Sequence, residues 1–354
     1  MKHVIFLKHE QLSDWDAFVE KHPLGLIYHL SGWKTVLEKS FHHIKGHFLA
    51  LWDGNSKEIV AGIPLYSVKS WVTHRRLVSS PFATISDPLL SSPDDMDMLW
   101  PAIQDLYKRV GASYIELKTW RFSFHNMDSE IGVLKPYVHQ YLMLDRHPEE
   151  LKKEFDSNCR RHISKALRSS IALKVGQEEE DLLDFYQIYL KTRKRLGIPP
   201  IPYSFFNALW ETFGSTDHLT LLLAVHNRKS IAAHLVLKFK EMVIGEVICD
   251  IPEFRKFRVN HFLDWEAIKM GYREGYKIFS FGRTSVNNKG LLSFKRDWGT
   301  RSDPLLQIVY PMSFCHRMEQ KEFSWNYKLI KKISEKTPDP LFHLLGKFAY
   351  RHMG

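Results

Sequence analysis

Between Asp250 and Gly299 the chain reads DIPEFRKFRVNHFLDWEAIKMGYREGYKIFSFGRTSVNNKGLLSFKRDWG. Arg255, Lys256 and Arg258 cluster just before an amphipathic helical pattern, where the open N–H groups of a helix start already favour an anion. Arg283 follows Gly282 at the end of an apolar strand pattern. Lys295 and Arg296 follow Phe294 on a short helical stretch behind a glycine-containing turn. A lysine held beside an acyl or phosphate-bearing substrate can stabilise the negative charge that develops on a tetrahedral oxyanion. These residues suit transfer of an acyl group by direct attack of a deprotonated amine. Such a reaction needs positioning, a proton acceptor and oxyanion stabilisation, with no covalent intermediate. Glu116, Tyr203, Glu246 and Asp250 can each serve as the acceptor, and the sequence does not choose among them. A plainer account of the same segment places Phe294 and Trp298 in a core, points Lys295 to water and leaves the basic turn solvated.

The elements that would position these residues occur twice. Phe48–Lys69 (FLALWDGNSKEIVAGIPLYSVK) matches Leu219–Lys240 (LTLLLAVHNRKSIAAHLVLKFK), two strands joined by a polar turn. Asn55 and Asn227 suit that turn because asparagine tolerates positive φ. Farther on, AIQDLYKRVGASYIEL matches AIKMGYREGYKIFSF, each a helix closed by Gly111 or Gly275 and followed by a strand. Two matches in the same order indicate two copies of one α/β unit, over 1–147 and 148–310, followed by a basic helical tail over 311–354. Helical periodicity is expected over Gln11–Lys21, Ser31–Ser40, Pro148–Ser169, Glu178–Arg195 and Ser204–Phe213, and strands over Arg76–Phe82 and Val138–Asp145. The run GIPPIPY (197–203) breaks the chain, since prolines remove donors and fix φ.

Composition narrows the class. With 50 Lys and Arg against 40 Asp and Glu the formal charge is +10, which suits an anionic partner such as tRNA, a nucleotide- or lipid-linked substrate, or an anionic membrane surface. The tail alone carries eight basic residues against four acidic ones. Its last stretch, PLFHLLGKFAYRHMG, has the aromatic and basic make-up of a helix that docks on such a surface or packs on its own domain. No apolar run approaches the roughly 18–20 residues that span a bilayer. Histidine and glutamate come too early in MKHVIFLKHEQ for a signal peptide. Three cysteines, Cys159, Cys249 and Cys315, have no metal-like spacing and fit a reduced, cytoplasmic setting. His29, His42, His43 and His261 are scattered, with no spacing that makes a metal site. Nucleophile elbows, Walker loops and dinucleotide fingerprints are absent from the sequence.

Read along its length, the chain resembles the Fem-type peptidoglycan bridge-forming transferases and their FemAB-related, BioF2-like acetyltransferase-fold relatives. The residues that carry the resemblance are HLSGW (29–33), GIPLYSVKS (62–70), LVSSPF (77–82), YIELK (114–118), CRRHISKALRSSIALKV (159–175), FYQIYLKTRKRLGIPPIPYSFF (185–206), IAAHLVL (231–237), NHFLDWEAIKMGYREGYKIFSFGRT (260–284) and GLLSFKRDWG (290–299). It is most similar to the branch found near exopolysaccharide genes. The resemblance implies an α/β chain of two tandem N-acetyltransferase-like (GNAT) domains followed by the helical tail, with the active site in the second domain or at its junction with the first. It implies acyl or aminoacyl transfer to an amine of a cell-envelope precursor, of peptidoglycan or exopolysaccharide. Lys295 and Arg283 would be catalytic. Arg160, Arg161, Lys165, Tyr203, Asn260 and Trp298 would bind a phosphorylated or lipid-linked sugar acceptor, and Arg255 and Arg258 the donor.

No permanently bound cofactor is implied; the donor is aminoacyl-tRNA, as in Fem enzymes, or acyl-coenzyme A or an acyl carrier protein. GNAT sites that grip coenzyme A carry Arg/Gln-x-x-Gly-x-Gly/Ala at the helix start. Here Arg258 and Asn260 stand at the glycine positions, which argues against ordinary acetyl-coenzyme A. Ser280 stands where the family often has Asp, and ATISDP where it often has a glycine-rich turn. A third possibility is a non-catalytic module that binds an anionic glycan or lipid-linked sugar.

Overall fold

The computed structural model describes residues 1–72, 74–124, 129–321 and 325–352, so residues 322–324 and 353–354 of the tail lie outside the described residues. The chain forms two units, one of Met1–Tyr137, Pro304–Ser324 and Phe348–Gly354, the other of Val138–Asp303 and Trp325–Lys347. The boundary thus falls between 137 and 138, ten residues before the one the repeat suggests. The tail is not a separate body, because its helices are shared between the two cores.

The first unit holds β1 (Lys2–Phe6), α1 (Leu12–Lys21), α2 (Ser31–Ser40), β2 (Ile44–Asp53), β3 (Glu58–Val68), β4 (Arg76–Ser79), α3 (Asp95–Arg109) and β5 (Tyr114–Thr119). A sixth strand, β6 (Gly132–Met143), starts in this unit and ends in the second. The second unit continues with α4 (Pro148–Leu151), α5 (Ser157–Leu167), β7 (Ala172–Gly176), α6 (Glu179–Leu196), α7 (Tyr203–Phe213), β8 (Leu219–His226), β9 (Lys229–Phe239), β10 (Met242–Asp250), α8 (Val259–Arg273), β11 (Ile278–Ser285) and α9 (Lys289–Arg296). Strand β12 (Arg301–Tyr310) returns to the first unit, and α10 (Cys315–Lys321), α11 (Trp325–Lys336) and α12 (Asp339–Tyr350) complete the chain.

Within the first unit the strand order is β1-β2-β3-β4-β5-β12, and within the second β6-β11-β10-β9-β8-β7. The repeat is visible in the pairing. β2 and β3 form an antiparallel hairpin, β4 joins β3 antiparallel, and β5 joins β4 parallel after α3 crosses over. β8 and β9, then β10, then β11 after α8, reproduce each step. Asn227 takes positive φ in the β8–β9 turn as expected, together with Arg228, but in the β2–β3 turn the left-handed residue is Lys57 and not Asn55.

Each unit has its own core. In the first, Leu99, Ile103 and Leu106 of α3 pack on Leu49, Ile63, Leu65, Leu77, Ile115 and Leu117 of the sheet. In the second, α8 is covered nearly all round: Val259, Phe262, Leu263, Trp265, Ala267, Ile268 and Met270 are buried, and Arg273 is its one exposed residue. Such a helix has no solvent face to spare and must run through the middle of its unit. β1 and β7, which the sequence did not single out, are edge strands; β7 is mostly exposed and β1 mostly half-buried. The segment 148–169, expected as one helix, is broken at Phe155-Asp156, where Asp156 caps α5 by accepting from the Asn158 N–H.

Candidate active site in the second unit

The parallel strands β10 and β11 are in register over three pairs, Met242–Ile278, Val243–Phe279 and Ile244–Ser280. A bulge then interrupts β10 between Gly245 and Val247. Beyond it β10 runs on to Asp250 and β11 to Ser285. The strands therefore open a wedge at their carboxyl ends, the side of a parallel sheet where backbone groups leave the ladder and ligands bind.

The chain leaves β10 through a basic turn and enters α8 at Arg258, whose backbone is left-handed (φ 62°) and whose cap carries no side-chain hydrogen bond. The first N–H groups of a 15-residue helix are thus open. Arg255, Arg258, Val259, Asn260, His261 and Phe294 enclose a cavity of about 200 Å³ around them. The Oδ1 of Asn260 is buried without a protein partner. Arg255 is partly neutralised by Asp250, to which it donates at 2.5 Å and 3.3 Å, while Arg195 donates to the same carboxylate at 3.1 Å. Asp250, one of the four acceptors left open by the sequence, is held by two guanidinium groups and is corrected to an anchor of the basic turn. His162 of α5 meets His261 at 3.3 Å. Burial holds the His261 imidazole near pH 4, with His162 and Arg258 adding to the effect. His162 is also lowered, by burial and then by Arg258, Arg161 and Lys165. Those three cations of α5 and α8 therefore act on one spot.

Lys295 neither points to water nor presents a spare N–H. Its buried Nζ donates to the carbonyls of Phe281 at 2.5 Å, Gly282 at 3.3 Å and Arg283 at 3.3 Å. An ammonium has three donors, and all three are engaged. The direct oxyanion role expected for Lys295 is not what this geometry supplies; the lysine ties α9 to the end of β11, where Gly282 is left-handed (φ 71°). Burial lowers its pKa to about 8, opposed by Asp264. Asp264, on the buried face of α8, is pushed up to about 8 by burial and drawn back by Lys295. Its Oδ1 lies 3.6 Å from Nδ1 of His234, itself lowered to about 4 by burial. Sequence reasoning missed His234 and Asp264, although a titratable residue inside each of the apolar runs IAAHLVL and FLDWEA was the available signal. Ser280 bonds Nε2 of buried His139 at 2.8 Å.

The remaining expected residues divide. Arg283 is exposed at the end of β11. Arg160, Arg161 and Lys165 are exposed on α5, with Arg160 donating to the Lys153 carbonyl at 2.7 Å and Arg161 to Asn158 at 2.8 Å. Trp298 is fully buried against Phe155, Phe281 and His261, so the expectation that it touches substrate is corrected to packing. Tyr203 begins α7 with its ring against Tyr186, its hydroxyl buried without a partner and its pKa raised by burial. It does not line the α8 cavity. Among the described residues no group of three or more His, Cys, Asp or Glu could hold a metal ion.

Residues 153–296 match the acetyltransferase (GNAT) domain family. No curated protein matches the sequence. The chain is similar to the crystal structure of FemX, at 14% identity over 89% of this chain and 99% of that one, with a TM-score of 0.69. It is also similar to the C-terminal domain of a putative lysylphosphatidylglycerol synthetase from Agrobacterium fabrum (14% identity, 85% and 91% covered, TM-score 0.59). A tandem GNAT protein from the clavulanic acid pathway aligns at 11% identity over 87% and 98%, with a TM-score of 0.53. At such identities the likeness is one of fold. The chain has the tandem GNAT fold, and the stretch that matches the GNAT domain model, 153–296, holds the β10–β11 wedge.

Proposed function

We propose that the chain transfers an acyl or aminoacyl group from an anionic donor to an amine of a cell-envelope precursor. The observation that carries this reading is the open, cation-lined start of α8 beside the β10–β11 wedge. A donor phosphate sits on the α8 N–H groups with Arg258 and Arg255, and the acyl carbonyl enters the wedge. Glu246, in the bulge of β10, accepts the amine proton. The amine nitrogen attacks the acyl carbon, and the C–N bond forms as the ester or thioester bond of the donor breaks. The leaving oxygen or sulfur takes a proton. Lys295 positions the end of β11 for this step. Arg283, Arg160, Arg161 and Lys165 supply exposed positive charge for a phosphorylated or lipid-linked sugar acceptor, and aminoacyl-tRNA is the favoured donor because Arg258 and Asn260 replace the glycines of a coenzyme A cradle.

One observation favours acyl-coenzyme A as a second donor. Arg258 adopts the left-handed backbone that glycine would, so the turn and its N–H groups keep the geometry of a pyrophosphate cradle. Parallel turnover assays with charged tRNA, acyl-coenzyme A and acyl carrier protein, against amine-bearing nucleotide sugars and read by mass spectrometry, test both readings. Amide product from charged tRNA alone is expected. Product from acyl-coenzyme A alone reverses the donor. No product from any donor sinks the enzyme reading and leaves the binding module.

A further inference from the structure

The end of α12 carries two apolar faces where one would suffice for packing. Phe342, Gly346 and Tyr350 are buried, whereas Leu341, Leu344 and Phe348 are exposed at helical spacing. Phe348 is 58% exposed and reaches His352, ring to ring at 5.4 Å. His352 in turn meets Trp71 edge-on at 5.0 Å. Trp71 is 79% exposed and its neighbour Val72 more than half exposed. Trp71, Val72, His352 and Phe348 thus make one apolar patch on the first unit. Isolated exposed apolar side chains are ordinary, but a run of large ones joined by contacts marks a surface that another phase covers.

The charge around the patch selects the occupant. The segments 69–76 and 340–354 contain no Asp or Glu. Lys69, Lys347 and Arg351 are exposed there. A protruding tryptophan, an exposed phenylalanine beside it and long cations are what the interface of an anionic bilayer accommodates. A protein groove would be expected to find acids in complementary places on its partner but gives no reason for the uniform sign here. No helix among the described residues is long and apolar enough to cross a membrane, so contact would be at the surface. We infer that Trp71, Val72 and Phe348, framed by Lys69 and Arg351 on the first unit, form a docking face for an anionic lipid surface.

Co-sedimentation of the full chain with vesicles tests this independently of any transfer activity. Vesicles of phosphatidylcholine alone are compared with vesicles of about three parts phosphatidylcholine to one part phosphatidylglycerol. The native chain is expected to pellet with the anionic vesicles and to be released as salt is raised. The pair Trp71→Ser and Phe348→Ser is expected to reduce partitioning by roughly tenfold or more, with the melting temperature unchanged because both side chains face solvent. The pair Lys69→Glu and Arg351→Glu should reduce it on anionic vesicles only. A native chain that stays in the supernatant, or apolar variants that bind as it does, overturns the inference. So does a dimer in solution that those variants dissociate while no vesicle binds.

Discussion

In the first unit α3 starts among carboxylates; in the second α8 starts among guanidinium groups. Asp94, Asp95 and Asp97 stand at the beginning of α3. The Asp95 carboxylate accepts from the N–H groups of Ser91 and Ser92 at 3.1 and 2.8 Å and from Lys2 at 2.7 Å. Beyond β5, Asp87 accepts from the N–H groups of Trp120, Arg121 and Phe122 at 2.8 to 3.2 Å. The first unit therefore turns these carboxylates on its own backbone, in the segments before α3 and after β5. The start of α3, which like that of α8 has no side-chain cap, stands among acids. The second leaves the equivalent helix start open, surrounds it with Arg255 and Arg258, and lengthens the neighbouring strand from the four residues of β4 to the nine of β10, with a bulge. One strand–helix–strand plan thus carries acids at its helix start in one copy and cations in the other.

The largest effect expected from breaking this contrast is at Lys295. Lys295→Met leaves three carbonyls at the end of β11 without their donor and Asp264 without its cation, so it should cost about 3 kcal/mol of stability. Transfer should fall by roughly a hundredfold or more as the wedge loses its support. Chemical denaturation and turnover measured together check this. Loss of activity with an unchanged denaturation midpoint would return Lys295 to a direct role on the substrate. Next in size, Arg258→Glu places an anion at a helix start that lacks a cap, and the donor KM should rise by roughly tenfold to a hundredfold with kcat less affected. The matching change in the first unit, Asp95→Ala, should lower stability by about 1 kcal/mol through loss of its bonds to Ser91, Ser92 and Lys2 and leave KM alone. Equal effects of the two on KM would place a second anion site at α3.

Much of this contrast was legible in the sequence. The hairpin, helix and strand recur with the same order, and Gly111 and Gly275 close the two crossover helices in the left-handed conformation as read. The cations before α8 and the acids before α3 are also plain in one dimension. What could not be read is where a side chain turns. Lys295 lies on a short helix whose exposed and buried positions alternate too quickly for periodicity to assign, and the three carbonyls it meets come from a strand earlier in the chain. Trp298 looked available for stacking on a substrate but is enclosed by Phe155 and Phe281, residues that only the fold brings to it. The division of the tail between two cores, likewise, depends on contacts with segments far away in sequence.

A smaller effect, on pH dependence, would show that the charged network beneath the wedge belongs to the second unit alone. Asp264 is pushed up to about 8 from an ordinary value of 3.8, so the folded chain holds a proton that the unfolded chain has lost. Its contribution is complete below pH 3.8 and is lost as pH rises through about 8. His234 and His261, held near 4 against an ordinary 6.5, act in the opposite sense. Their contribution is present above 6.5 and is lost as pH falls through 4, so they are silent between pH 6.5 and 8. Lys295, lowered from 10.5 to about 8, affects stability only above that window. Native protein should therefore lose on the order of 1–2 kcal/mol between pH 6.5 and 8, and Asp264→Asn should flatten that slope. An unchanged slope in the variant would assign the titration elsewhere.

The smallest expected effect has opposite signs in folding and in binding, which makes Arg258 the sharpest point of the comparison. Its left-handed backbone costs a residue with a Cβ about 1 kcal/mol, a strain that glycine does not feel. Arg258→Gly should relieve it, less a few tenths of a kcal/mol for the greater freedom of glycine in the unfolded chain. The net gain is under about 1 kcal/mol, read as a small rise in melting temperature. Removing the guanidinium should at the same time weaken an aminoacyl-tRNA or other polyanionic donor severalfold, since one charge at the helix start is gone. A coenzyme A thioester behaves differently, because its pyrophosphate gains closer approach to the α8 N–H groups once the side chain is absent. Calorimetry of the variant with each donor separates the cases. Weaker tRNA binding in a more stable protein supports a cap strained for the sake of its charge, whereas tighter acyl-coenzyme A binding would mean that the arginine obstructs the cradle it stands in.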